Sequence, residues 1–265
     1  DIISKENIDI VIPNPDSEIS FISSIRDEIE ADMLLPSDKT VQFLLSKLKT
    51  AQKLGDLAPR TYEVSGKKDL EKIIRVEKKV WLRPRKGAGG RGALVTSNPE
   101  FGWMWIEYWR KKGLSSWIAQ EFLEGGNYNV TLIYDITSKL CGVGMMERFS
   151  YIHGSNSPTG ITGDVRIAVT TKKRKIIGIA EKAVKKIDKR PIGIFSVDLK
   201  GEKVTEINPR FAGRPRLYTE SGANFPKQIL EIVENGTSQY IEAKEGYRLI
   251  RQVDIEPVVI KYAKG

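Results

Sequence analysis

Residues 204–215, VTEINPRFAGRP, carry a carboxylate, an amide and a guanidinium at Glu206, Asn208 and Arg210. A spacing of two is the period of a β-strand, so the three side chains start on one face. Asp198 lies upstream in FSVDLKGEKVTEINPR, which reads as a hairpin turning at Lys200 and Gly201. That turn brings Asp198 alongside Glu206. Asp, Glu and Asn oxygens are hard ligands of the kind Mg²⁺ takes, with phosphate oxygens completing its shell. An arginine beside them suits a phosphoryl group. A surface hairpin with a polar outer face accounts for the same alternation, and the cluster alone leaves both readings open.

A second group is RPRKGAGGRG, with Gly87, Gly89, Gly90 and Gly92. Glycines let backbone N–H groups come close to phosphates. Arg83, on the strand before them, can reach an α- or β-phosphate. The flanking runs KVWLRPR and ALVTS read as strands, so the glycines form the tip of a hairpin, not a strand-to-helix phosphate loop. A merely flexible tip is the competing reading. The third group is WIAQEFLEGGNYNV. The backbone of Gln120–Leu123 can meet the edge of a base, with Asn127 near a ribose, although an ordinary edge strand and turn would look the same.

Other chemistries find little support. The single histidine, His153, sits in a Gly/Ser/Asn-rich loop, and the single cysteine, Cys141, sits in an apolar strand. They make no nucleophile–base pair. Zinc-ligand spacing is missing, and the GxGxxG pattern of Gly87, Gly89 and Gly92 lies between two strand-like runs, not in the strand-to-helix turn of a dinucleotide fingerprint.

The elements that must position these groups follow from apolar period and punctuation. IDIVIPNPD, EISFISSIRDEIEA and MLLP read as strand, helix and strand. SDKTVQFLLSKLKTAQKLGDLAP reads as one helix capped by Ser37 and ending at Gly55. DLEKIIRVEKK, the aromatic NPEFGWMWIEYWRKKG, KKRKIIGIAEKAVKKI and FPKQILEIVENG read as further helices. NYNVTLIYDI pairs with KLCGVGMMERF, DVRIAVT adds a strand, and YRLIRQVDIEPVVI is strand-like. The fold class is α/β with α+β lobes. The net charge of +9 on 265 residues is compatible with nucleic acid, but the basic residues are scattered, and an anionic nucleotide accounts for the excess better. No apolar run reaches the ~18 residues of a membrane span, and one cysteine suits a reducing cytoplasm.

In this order and spacing, SKLKTAQKLGDLAPRTY, WLRPRKGAGGRGALVTSN, QEFLEGGNYNV, TGITGDVRIAV and GIFSVDL…TEINPR resemble the ATP-grasp superfamily, from about Asp9 to Gly236. The likeness is to the ATP-binding halves of the carbamoyl-phosphate synthase large chain and to related stand-alone ligases. It implies ATP as substrate and two Mg²⁺ ions. Lys47 and Arg83 would hold the α- and β-phosphates, and Gly87–Gly92 would close over them. Glu121 and Leu123 would line the adenine pocket. Asp198, Glu206 and Asn208 would be the metal ligands, with Glu206 bridging, and Arg210 would steady the γ-phosphoryl.

It also implies three parts: a partial Rossmann-like segment (1–45), a small lobe (46–119) and a large lobe (120–265). The missing part of the first would be trimmed away or supplied by another polypeptide. Asn127 stands where the family usually has Glu. The expected activity joins a small carboxylic acid to an amine or ammonia through an acyl phosphate. The alternatives are a carbamoyl-phosphate-synthase-like subunit acting on a small acid within a complex, a non-catalytic nucleotide-binding module, and a nucleic-acid binder. Arg148, Arg166 and Arg216 are candidates for holding the acid, and Arg214 with Arg216 could clamp an anion.

Overall fold

The hairpin expected around Lys200 and Gly201 forms: strands Gly193–Lys200 and Lys203–Asn208 pair antiparallel, with Asp198 opposite Glu206 and Ser196 opposite Asn208. The computed structural model describes residues 2–87, 89–211 and 215–251. In chain order the elements begin with helices α1 (Ile2–Lys5), α2 (Asp16–Ser24), α3 (Asp38–Leu44) and α4 (Lys47–Leu54), then strand β1 (Thr61–Val64) and helix α5 (Lys67–Glu77). Strands β2 (Val80–Pro84) and β3 (Leu94–Thr96) flank the glycine loop. Helix α6 (Pro99–Arg110) and strands β4 (Trp117–Glu121), β5 (Asn127–Tyr134), β6 (Leu140–Tyr151) and β7 (Val165–Thr170) follow. Helix α7 (Arg174–Ile187), the hairpin strands β8 and β9, helices α8 (Pro215–Glu220) and α9 (Phe225–Asn235), and strands β10 (Ile241–Glu242) and β11 (Arg248–Ile250) complete the order.

Two sheets result. The smaller, in the order β1-β4-β2-β3, is antiparallel throughout. Helices α5 and α6 cover one face through Leu70, Ile73, Ile74 and Ile106, which pack on Val80, Leu82 and Trp117. Alternation on β2 leaves Trp81 and Arg83 on the other face. The larger sheet runs β11-β7-β6-β5-β8-β9, with β10 beside β6. One face packs on α4 and α7 through Ala51, Leu54, Ala180 and Val184. Part of the other packs on α8 and α9 through Tyr218, Phe225 and Ile229; the rest faces the smaller sheet.

Four details differ from the sequence reading. IDIVIPNPD and MLLP, expected as strands, form none; this region holds only one isolated parallel bridge, between Ile10 and Asp32. The expected single helix over residues 37–55 is two, because Ser46 caps a second one by accepting from the Lys49 amide at 3.4 Å, as Ser37 caps the first. Strand β1 forms where the sequence pattern predicts none. The alternation on β9 is interrupted: Asp198 pairs with Glu206 but Leu199 with Val204, so Thr205 is an extra residue. Such a bulge re-aims its neighbours. It keeps Val204 and Ile207 in the core while Thr205 and Glu206 both leave it. The expected strand over the tail is described only as β11; residues 252–265 lie outside the described part, as does Arg214.

The turn from β5 to β6 depends on one buried carboxylate. Asp135 accepts from the Thr137 amide (2.9 Å) and hydroxyl (2.7 Å), the Lys139 amide (3.0 Å) and the Thr237 hydroxyl (2.8 Å). Burial raises its pKa, but the bonds from Thr137, Thr237 and the Lys139 amide outweigh that and hold it below the ordinary value. Asp135→Ala is expected to cost about 2–4 kcal/mol, because it strands several buried donors. The check is a lower urea midpoint at unchanged slope. The carboxylate's share of stability is present above about pH 3.9 and is lost as pH falls through the depressed folded value. The variant lacks that dependence.

Candidate active site

The two sheets face one another across a cleft of about 340 Å³, within the ~300–1,000 Å³ of small-molecule sites. Its floor is the open part of the larger sheet. Asn129 on β5 is the register partner of both Asp198 on β8 and Met146 on β6, and Asn127 is the partner of Arg148 and Lys200. Its roof is β2, β3 and the glycine loop, through Trp81, Arg83, Val95, Gly87, Gly89 and Gly90. Glu121, Phe122 and Leu123 line the hinge side. Among the described residues, seven basic side chains line this cleft against three acidic ones, the balance an anionic ligand needs.

Glu206 is the centre of the charge cluster. Lys47 Nζ lies 2.8 Å from its Oε1 and Arg83 Nη1 3.7 Å from its Oε2. Lys47 occupies the first turn of α4, where the helix dipole disfavours a cation, and there it also donates to the Gly87 carbonyl at 2.6 Å. One lysine thus ties the helix, the acid and the glycine loop. Arg83 donates to the carbonyl of the bulged Thr205 at 2.7 Å. Burial raises the Glu206 pKa, but Lys47 and Arg83 outweigh it, so the carboxyl is held below its ordinary value. Burial lowers Arg83 in turn, and Glu206 and Asp198 only partly offset this.

Asp198 is held by two donors on one oxygen: Asn129 Nδ2 at 2.7 Å and Arg148 Nη2 at 3.2 Å reach Oδ1. Arg148 also donates to the Tyr128 carbonyl at 3.0 Å. Burial lowers its pKa, yet Asp198 outweighs this and leaves it raised. Arg210, just past β9, pairs through Nε with Asp16 at the start of α2 and donates through Nη1 to the Phe211 carbonyl at 3.1 Å.

The expected site residues therefore divide. Lys47, Arg83, Gly87, Gly89, Gly90, Glu121, Leu123, Asn127, Arg148, Asp198, Glu206, Asn208 and Arg210 converge on the cleft. Gly92 does not line it; its carbonyl accepts from Trp105 Nε1 on α6 at 2.8 Å. Arg166 is exposed and away from the cleft. Arg216 is exposed and pairs with Glu220 at 3.4 Å on its own helix. Trp81 and Asn129 also line the cleft, although neither stands out in the sequence pattern. Both sit two residues from a residue singled out, on the same strand face. Asp16, which is 194 positions from Arg210, gave no local signal. Cys141 is buried, its thiol pushed up by burial, in keeping with a packing role.

The donor set fits Mg²⁺. Asp198 and Glu206 face each other across β8 and β9, with Asn208 two pairs further along. Among the described residues no three His, Cys, Asp or Glu side chains gather to hold a metal alone. Mg²⁺ takes its remaining ligands from water and phosphate, so two carboxylates and an amide suit an ion that arrives with a nucleotide. The buried Nε atoms of Arg83 and Arg148 lack an acceptor within the protein, and both residues line the cleft, where the oxygen of a ligand or water would supply one.

The sequence of residues 45–214 matches the model of the ATP-grasp domain. The chain belongs to the ATP-grasp family. Its fold is correspondingly similar to that of the biotin carboxylase–beta-gamma-ATP complex from Campylobacter jejuni (16% identity, TM-score 0.69, covering 89% of this chain and 56% of that one). It is also similar to the biotin carboxylase domain of 2-oxoglutarate carboxylase from Hydrogenobacter thermophilus, in complex with MgADP and bicarbonate (14%, 0.69, 93% and 58%). L-amino acid ligase from Bacillus licheniformis is a third (16%, 0.64, 88% and 58%). This ATP-grasp chain thus spans less than two thirds of each of these proteins. No curated protein matches it in sequence. No helix among its described residues is long and apolar enough to cross a membrane.

Proposed function

We propose that this ATP-grasp chain is the catalytic part of a cytoplasmic Mg·ATP-dependent ligase that joins a carboxylic acid to an amine or ammonia through an acyl phosphate. The observation that carries this reading is the pairing of Asp198 with Glu206 beneath the glycine loop, ringed by Lys47, Arg83 and Arg210. Phosphoryl transfer needs positioning and charge neutralisation more than a protein nucleophile, and this cluster supplies both. Asp198, Glu206 and Asn208 would hold Mg²⁺, which offsets phosphate charge when bound; two ions sharing Glu206 is the arrangement the family resemblance implies.

A carboxylate oxygen of the acid attacks the γ-phosphorus, the bond to the bridging oxygen breaks, and ADP departs. The amine nitrogen then attacks the acyl carbon, inorganic phosphate leaves, and the nitrogen gives up a proton. Lys47 and Arg83 orient the phosphates, and Arg210 steadies the transferring group. The glycine loop keeps water from the acyl phosphate. Glu121 and Leu123 meet the base edge, with Asn127 near the ribose, and Arg148 is the cation placed to hold the acid.

The test is an ADP-release screen with Mg·ATP over carboxylic acids, bicarbonate included, paired with amines and ammonia. ADP formed only when both partners are present supports a ligase. ADP formed with bicarbonate alone supports the small-acid reading instead. Tight ATP binding with no ADP from any pair supports a binding module and sinks the proposal. Trp81 is the tryptophan that lines the cleft, and it is assigned to the base. Trp81→Ala is expected to weaken Mg·ATP binding about tenfold, with Trp81→Phe retaining most of it, as read by calorimetry.

A further inference from the structure

Arg210 lies just beyond the regular pairing of β9. Pro209 separates it from the end of β9, and its amide turns back to the Asn208 carbonyl at 2.9 Å. A long side chain at such a place has many rotamers, yet a group that acts on a transferring phosphoryl must be held within a fraction of an ångström. The restraint comes from the other end of the chain. Asp16 opens α2 and takes the Nε edge of Arg210, while the Phe211 carbonyl takes Nη1. Two bonds in different directions fix the guanidinium plane. Both partners are largely shielded, with side-chain exposures of 22% and 28%, so the pair is stronger than one at an open surface. The segment that carries Asp16 is itself anchored: Leu34 joins the core cluster of the large lobe, and Thr40 Oγ1 donates to Asp188 at 2.8 Å.

We propose that Asp16 is a positioning residue: it holds Arg210 in the geometry that phosphoryl transfer needs and so makes the N-terminal segment part of the active site. This rests on the ligase reading. Asp16→Asn keeps the size of the side chain and removes the charge. It is expected to lower kcat about 10- to 100-fold with less than about threefold change in KM for ATP. Asp16→Glu should recover part of the loss. Glu18→Gln is the control for a loosened segment, since Glu18 accepts from the Asn14 amide at 3.0 Å near the same helix start; it should leave kcat at the wild-type value.

A double-mutant cycle with Arg210→Met separates positioning from general destabilisation. If Asp16 acts through Arg210, the double variant is no slower than Arg210→Met alone. A second readout needs no turnover: Mg-dependent affinity for a non-hydrolysable ATP analogue relative to ADP, which should fall in Asp16→Asn towards the ratio of Arg210→Met, by no more than the roughly threefold allowed for KM. Losses that multiply in the double variant, or an Asp16→Asn protein equal to wild type in both readouts, overturn the proposal and leave the ligase reading standing. A wild-type chain that binds neither nucleotide overturns both.

Discussion

Glu206→Gln is expected to reduce Mg·ATP turnover about 10²- to 10³-fold or more, and Asp198→Asn to do the same, while the fold is kept. The two carboxylates face each other on adjacent strands and are the acidic members of the floor. An amide of the same shape still fits the site but cannot offset the charge of a metal ion. The consequences for the free protein differ. Glu206 faces Lys47 and Arg83, so Glu206→Gln leaves two shielded cations without their counter-ion. Asp198→Asn leaves only Arg148 in that position, and Asn129 can still bond an amide oxygen. Glu206→Gln should therefore lower the melting temperature more than Asp198→Asn, although both lower turnover to a similar extent. Steady-state kinetics with thermal unfolding of the same preparations tests both statements. Near-wild-type turnover in both variants would remove the metal site from the account.

Lys47→Met is expected to lower kcat/KM for ATP about 10²-fold. The greater part should fall on KM, because a cation that grips phosphates serves substrate and transition state alike. Lys47 also joins Glu206 to the Gly87 carbonyl, so the variant should protect the glycine loop less well against proteolysis. It changes the acid titration in a definite direction. In the wild type the Glu206 carboxyl is depressed, burial being outweighed by Lys47 and Arg83. That shift adds stability which is fully present above the ordinary carboxylate value of about 4.3 and is lost as pH falls through the folded value. With Lys47 gone, burial meets a weaker opposition and the carboxyl rises. The loss of stability that Glu206 contributes below about pH 4.3 then becomes smaller, visible as a shallower fall of melting temperature from pH 7 to pH 3.

Much of this site was legible because it is local. The two-residue spacing of Glu206 and Asn208, the turn at Lys200 and Gly201, and the glycines between two apolar runs each have a period or a turn chemistry that a sequence displays. What was not legible arises between elements. The bulge at Thr205 breaks the strict alternation, and its cause is the pairing with β8, which no single strand reveals. The break at Ser46 was masked by continuous helical spacing, although the serine itself was a visible cap. It matters because it sets Lys47 at a helix start beside Glu206. Arg148 was noticed as a cation but not as the partner of Asp198, and the pairing of Arg210 with Asp16 depends on tertiary packing alone. Arg166 and Arg216 show the converse: both read as substrate ligands in the sequence, yet on β7 and α8 they are exposed and do not line the cleft.

The central claim is that Asp198, Glu206, Lys47, Arg83 and Arg210 together move the γ-phosphoryl of ATP onto a carboxylate. With the acid and amine that support ADP release, the direct measurement labels both carboxylate oxygens with ¹⁸O and analyses the inorganic phosphate by mass spectrometry. An acyl-phosphate route carries one labelled oxygen from each acid into each phosphate formed. Unlabelled phosphate released in step with ADP would contradict the account, since the phosphoryl group would then have passed to water or to another acceptor.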